Sequence, residues 1–193
     1  MNGDNFMPTP NMRTDDPIMM DLINRHGPSN IGCRPIFSSL IRAVIGQQLS
    51  EAAASTIFKR LSEITDILPN SLASLNDDDF RGCGISYQKQ KYIRAICEAA
   101  SDGYFDEIVR LNDDDSIAKL CKIKGIGLWT AQMVLIFSFG RPDVWPHSDA
   151  GLIRATKMLY HINNMYDFMV LGERFKPYRS HAAWYLWRSL DEK

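Results

Sequence analysis

"LCKIKGIGLWTAQMVLIFSFGRPDVWPHSDAGLIRA", residues 120–155, decides how the chain is read. Leu120 and Ile123 end one helical pattern, Gly125 and Gly127 permit a tight turn through positive φ, and Leu128 opens an apolar helix. The result is a short hairpin between two helices. Backbone N–H groups of the turn and of the second helix's first turn lack intrahelical acceptors, so they face outward as an anion site favoured by the helix dipole. Such a turn can hold a phosphate without a basic domain, and Lys122 and Lys124 add charge beside it. The loop that follows, framed by Pro142 and Pro146, ends at Asp149 just before the periodic run "AGLIRATKMLY". That position is an N-cap, where a carboxylate is favoured in its ionised form.

Outward from this stretch, helical periodicity dominates. Leu40, Val44, Ile45, Leu49, Ala53, Ile57 and Leu61 fall on one stripe at spacings of three and four. Further helices are expected in "QKQKYIRAICEAASDG" with its stop at Gly103, in "LWTAQMVLIFSFG" and in "AGLIRATKMLYHI". No comparable stretch alternates with period two, so the fold class is all-α. The triplets Asp77–Asp79 and Asp113–Asp115 each follow a Leu-Asn pair. They could form metal-binding carboxylate clusters, but Asn before an acidic first turn reads better as a helix cap.

With 193 residues, 45% of them hydrophobic, the chain can bury one sizeable core. Its formal net charge of −1 excludes a globally basic nucleic-acid binder, so any basic face is local. Cysteines at 33, 83, 97 and 121 are too widely spaced for a structural zinc site or a ferredoxin-type cluster and read as reduced thiols. The first twenty residues hold prolines and acids where a secretory signal needs an apolar run, and no membrane span is expected.

Taken with "IRAVIGQQLS" at 41–50 and "GISYQKQKYIRAI" at 84–96, the stretch resembles the helix-hairpin-helix (HhH-GPD) DNA glycosylase superfamily. The likeness runs over roughly residues 30–190 and is to the 3-methyladenine DNA glycosylase II type, in a compact form without the N-terminal extension of larger relatives. It implies a single glycosylase domain of two helical lobes with the active-site cleft between them. The central lobe would cover about 36–145, with the hairpin at 120–131, and the other 1–35 with 146–193. The implied activity is hydrolysis of the N-glycosidic bond of alkylated purines, 3-methyladenine and also 7-methylguanine, after the base is flipped out of duplex DNA.

The resemblance assigns roles to residues. Asp149, 22 positions after Gly127, is the catalytic carboxylate; Asp143 matches a structural position. Trp129, Met133 and Trp187 form the base pocket, whose electron-rich wall attracts a cationic alkylated base. DNA contacts fall to Gln48, Leu49, Lys122, Lys124, Gly125, Ile126, Gly127 and Thr130. Gln48 or Leu49 would fill the gap left by the flipped base, with Gln48 preferred because periodicity turns Leu49 to the core. Carbonyls of Cys121, Ile123 and Ile126 match the ligands of a monovalent cation, Na+ or K+, in relatives; no other cofactor is implied, and an iron-sulfur cluster is not expected. His147 is a second candidate base, and Arg179 is either structural or faces DNA.

Departures from the family pattern refine the expectation. Members that also cut the backbone carry lysine two residues after the second glycine, where this chain has Trp129, so hydrolysis without strand cleavage is expected. Lys124 replaces the usual proline before the first glycine, and Met133 stands where some relatives have an aromatic ring. The expected partner is double-stranded DNA with alkylated bases, bound by a monomer in the cytoplasm near the nucleoid of a prokaryote or in a eukaryotic nucleus. Two alternatives stand beside this one: a non-catalytic DNA-binding module, and a superfamily glycosylase of different base specificity. Asp149 with Trp129 and Trp187 favours an enzyme, since a pure binder needs none of the three.

Overall fold

The computed structural model describes residues 12–32, 34–101 and 103–191; Cys33 lies outside them. Every regular element among the described residues is a helix. In chain order they are α1 (Pro17–His26), α2 (Ile36–Gly46), α3 (Glu51–Ile64), α4 (Pro69–Ala73), α5 (Asp77–Cys83), α6 (Tyr87–Ser101), α7 (Tyr104–Ile108), α8 (Asp113–Leu120), α9 (Leu128–Phe137), α10 (Ala150–Tyr160), α11 (Met165–Arg174) and α12 (Arg179–Arg188). No helix among the described residues is long and apolar enough to cross a membrane.

The helices gather into two compact units, one of residues 34–134 and one of the segments before 34 and from 135 onward. The second boundary therefore falls inside α9 and not near residue 145. The local reason is that the end of α9 belongs with the N-terminal segment: Leu135 and Ile136 are buried, and the Gly32 N–H donates to the Ile136 carbonyl at 3.0 Å. Gly32 has φ +75°, and a Cβ there would stand 2.7 Å from the Gly140 Cα, so only glycine permits this approach.

In the 34–134 unit, Leu40, Ile41, Phe80, Ile93, Ile96 and Leu120 are fully buried. Each such side chain contributes about 1.5–3 kcal/mol over its exposed state. Both "LNDDD" segments cap helices: Asn76 accepts from the Asp78 and Asp79 N–H groups while Asp79 accepts from the Asn76 N–H, and Asn112 accepts from the Asp115 N–H. The stripe from Leu40 to Leu61 does not run through one helix. Gly46 ends α2 and Ser50, accepting from the Ala53 N–H at 3.3 Å, starts α3. Leu49 lies in the break and is 41% exposed, and Ala54 takes the buried place expected of Ala53.

The other unit is built on Met19, Leu22, Trp145, Leu152, Phe168 and Leu171. Trp145 lies 5.2 Å from Phe168 between ring centroids, and a Cβ on Gly172 would stand 2.8 Å from its indole. Buried Asp16 caps α1 through the Met19 N–H, and its carboxylate also accepts from Tyr160 Oη at 2.9 Å and Arg174 at 3.0 Å.

Candidate active site

Asp149 is reached through a loop that α12 holds. Arg179, first residue of α12, grips Asp143 with two parallel contacts, Nε to Oδ1 at 2.8 Å and Nη2 to Oδ2 at 3.0 Å, and also donates to the Asp143 carbonyl. A bidentate, half-buried pair of this kind fixes geometry as well as charge. Ser180 adds two contacts, its Oγ accepting from the Val144 N–H and its N–H donating to the Pro142 carbonyl. Arg179 is therefore structural in this chain, as is Asp143. Two consecutive turns follow, the His147 N–H to the Trp145 carbonyl and the Asp149 N–H to the Pro146 carbonyl, both at 2.9 Å.

Delivered there, Asp149 caps α10 and is buried to 9% exposure. Its Oδ1 accepts from the Leu152 N–H at 2.6 Å and from the Trp187 indole Nε1 at 2.8 Å. Trp187 in turn rests on Phe137, ring centroids 5.7 Å apart. Gly151 leaves room for both: a Cβ there would lie 3.1 Å from Asp149 Oδ1 and 3.3 Å from Trp187 Cδ1. Asp149 and Trp187 are thus brought together. Phe137 and Gly151 join them, neither of which sequence reasoning singled out, although a glycine in a helix's first turn is a readable sign of close approach.

The hairpin forms as its sequence predicts, with one correction. Gly125 has φ +92°, whereas Gly127 is outside the positive-φ region. Gly125 is doubly required, since a Cβ would also stand 2.2 Å from the Tyr92 ring. A Cβ on Gly127 would meet nothing within 4 Å, so its smallness serves nothing inside the chain and leaves the turn open to an outside group. Lys122 and Lys124 are exposed beside it, and Ile123 and Ile126 are buried beneath. Thr130 is 4% exposed, so its side chain packs inward and the DNA contact expected of it falls to its backbone N–H in the first turn of α9. On α9, Trp129 is 42% exposed and Met133, one turn on, is half-buried on the same side.

In the break between α2 and α3, Gln48 and Leu49 are both exposed, so the core reading of Leu49 is overturned. Gln48 adopts φ +59°, uncommon for a residue with a side chain. Gln47 donates from Nε2 to the Gly125 carbonyl at 2.9 Å, tying this break to the hairpin turn. The Ile123 carbonyl accepts from the Ile126 N–H at 3.0 Å and keeps a second lone pair, which is compatible with a cation ligand. Cys83, Cys97 and Cys121 form no disulfide, and burial raises the pKa of each, that of Cys97 to about 11.

Residues 41–171 match the family model described as HhH-GPD superfamily base excision DNA repair protein. Over 163 residues the chain is 35% identical to DNA-3-methyladenine glycosylase 1 of Schizosaccharomyces pombe, covering 79% of this chain and 72% of that protein. A 3-methyladenine DNA glycosylase of the same yeast, solved in complex with abasic DNA, superposes with a TM-score of 0.80 at 31% identity, covering 94% of this chain and 95% of the other. The DNA-3-methyladenine glycosidase structure of Bacillus halodurans gives a TM-score of 0.78 at 33% identity, over 92% and 86% of the two chains.

Proposed function

Since the chain belongs to the HhH-GPD superfamily of base excision DNA repair proteins, we propose that it is a DNA glycosylase that hydrolyses the N-glycosidic bond of alkylated purines, 3-methyladenine first. The observation that carries this reading is the carboxylate of Asp149, buried at a helix N-terminus and oriented by two N–H donors. A carboxylate so fixed stabilises positive charge developing on the sugar without reorganising, and can orient or deprotonate the attacking water. An alkylated purine carries its own positive charge and departs as a neutral molecule. One carboxylate therefore suffices where ordinary glycosidases use two.

The hairpin supports the other half of the reading. Its open turn at Gly127 and the exposed Lys122 and Lys124 suit a DNA phosphate, held as the nucleotide rotates out of the stack. Carbonyls of Cys121, Ile123 and Ile126 would hold a Na+ or K+ ion, whose charge would strengthen that grip. Gln48 fills the gap, and exposed Leu49 stands beside it. Trp187, whose indole meets Asp149, receives the base. With Trp129 in the place of the lyase lysine, the reaction stops at the abasic site.

Chromatography of bases released from methylated duplex DNA, with strand integrity followed before and after alkali, tests this reading. Free 3-methyladenine and strand breaks that appear only after alkali are expected. Breaks without alkali would contradict a purely hydrolytic reaction, and absence of released base would contradict the substrate class.

A further inference from the structure

The carbonyl oxygens at the end of α2 lead to a residue that neither the hairpin nor the carboxylate explains. A helix leaves its last carbonyls without intrahelical donors. Here the Val44 carbonyl accepts from the Gln47 N–H at 3.3 Å and the Gly46 carbonyl from the Leu49 N–H at 3.1 Å. The carbonyls of Ile45 and Gln47 both accept from the Nζ of Lys89, at 2.7 and 2.9 Å. Lys89 comes from the first turn of α6, and three residues on Tyr92 lies against Gly125 of the hairpin. The Gln47 side chain closes the circuit by donating to the Gly125 carbonyl.

Gln48 sits inside this circuit with φ +59°, a backbone state that costs energy for a residue with a Cβ and persists only where its surroundings over-determine it. The surroundings are the two Lys89 contacts on one side and the Gln47 contact on the other. An ammonium at a helix C-terminus also meets the negative end of the dipole, which favours its charge against the burial that lowers the Lys89 pKa.

We infer that Lys89 is a positioning residue: by bridging the Ile45 and Gln47 carbonyls it locks the 47–50 segment with Gln48 projecting, and joins that segment to the hairpin turn as one preorganised unit for invading the duplex. The inference rests on the glycosylase reading for its purpose, though not for its geometry. A wedge held in advance loses less freedom on entering the stack than one that must be ordered there. Where no stacked partner has to be replaced, as in single-stranded DNA, the lock has little to contribute.

The test compares Lys89→Met, which cannot bridge carbonyls, with Lys89→Arg, whose fork can. Amide hydrogen exchange reads the lock directly, and base release from methylated duplex and methylated single-stranded DNA reads its purpose. For Lys89→Met, exchange at Gln47 and Leu49 should quicken about 10-fold or more, and kcat/KM on duplex should fall about 10-fold with less than about 2-fold change on single strands. Lys89→Arg should restore most of both. Unchanged exchange in Lys89→Met would overturn the lock. An equal loss on both DNA forms would overturn its role in invasion. If the wild type released no base from either DNA, the glycosylase reading would fall while exchange still decided the lock.

Discussion

Trp187 donates from its indole Nε1 to Asp149 Oδ1 at 2.8 Å, so the residue proposed as pocket wall also aims the proposed catalytic carboxylate. The same ring packs against Phe137 at a tilt of 31°, which restricts the planes from which that hydrogen bond can be given. Trp187→Phe keeps an aromatic wall and deletes the donor. Base release should drop about 10- to 100-fold, chiefly in kcat, while affinity for abasic duplex stays within about 3-fold, since the lost contact acts on transition-state charge. Steady-state kinetics alongside a binding titration separates these effects.

Gly151→Ala places a methyl group 3.1 Å from Asp149 Oδ1 and 3.3 Å from Trp187 Cδ1. Replacing glycine by alanine in a helix ordinarily gains up to about 1 kcal/mol. Crowding and propensity therefore oppose each other in stability, and the melting temperature should move little. Activity has no such compensation and should fall at least about 5-fold as the carboxylate or the indole shifts. Thermal melts with base-release assays on the same preparations check both halves.

The two hairpin glycines should respond differently. Gly125→Ala forces positive φ on an alanine and a Cβ 2.2 Å from Tyr92, and should destabilise by about 2–4 kcal/mol. Gly127→Ala meets nothing within the chain, so its stability should be nearly unchanged. Its DNA affinity should fall about 10-fold or more, because the methyl group occupies the space proposed for a phosphate. Urea denaturation and a DNA titration distinguish them.

Ser29 Oγ and His181 Nδ1 share a 2.6 Å hydrogen bond with His181 1% exposed, and burial lowers the imidazole's pKa. The unfolded chain then binds a proton more readily than the folded one. The stability this group contributes is complete above its ordinary value near ~6.5 and is lost as pH falls from there through the lowered folded value. Between pH 7 and 5 the wild type should lose more stability than His181→Asn, as read from denaturation midpoints across that range.

How far the chain could be read in advance depended on the kind of signal. Asn76, Asn112 and Asp149 were legible as caps because that role is written in adjacent residues, whereas the catalytic role of Asp149 was implied by the family resemblance. The break at Gly46 was hidden by a hydrophobic stripe that keeps its period across two helices, which also gave Leu49 a core place it does not have. Lys89, Tyr92 and Phe137 act through partners distant in sequence and carry no local mark. Thr130 sits in the motif's first helical turn, but the turn buries that side chain.

In the proposed mechanism Asp149 supplies the charge that breaks the glycosidic bond. Asp149→Asn keeps the shape and can still accept from the Leu152 N–H and the Trp187 indole through its carbonyl oxygen. Release of 3-methyladenine from methylated duplex by this variant should therefore fall about 100-fold or more, a loss of at least ~2.7 kcal/mol in transition-state stabilisation, with folding and DNA affinity retained. Equal release by wild type and a folded Asp149→Asn would contradict the account.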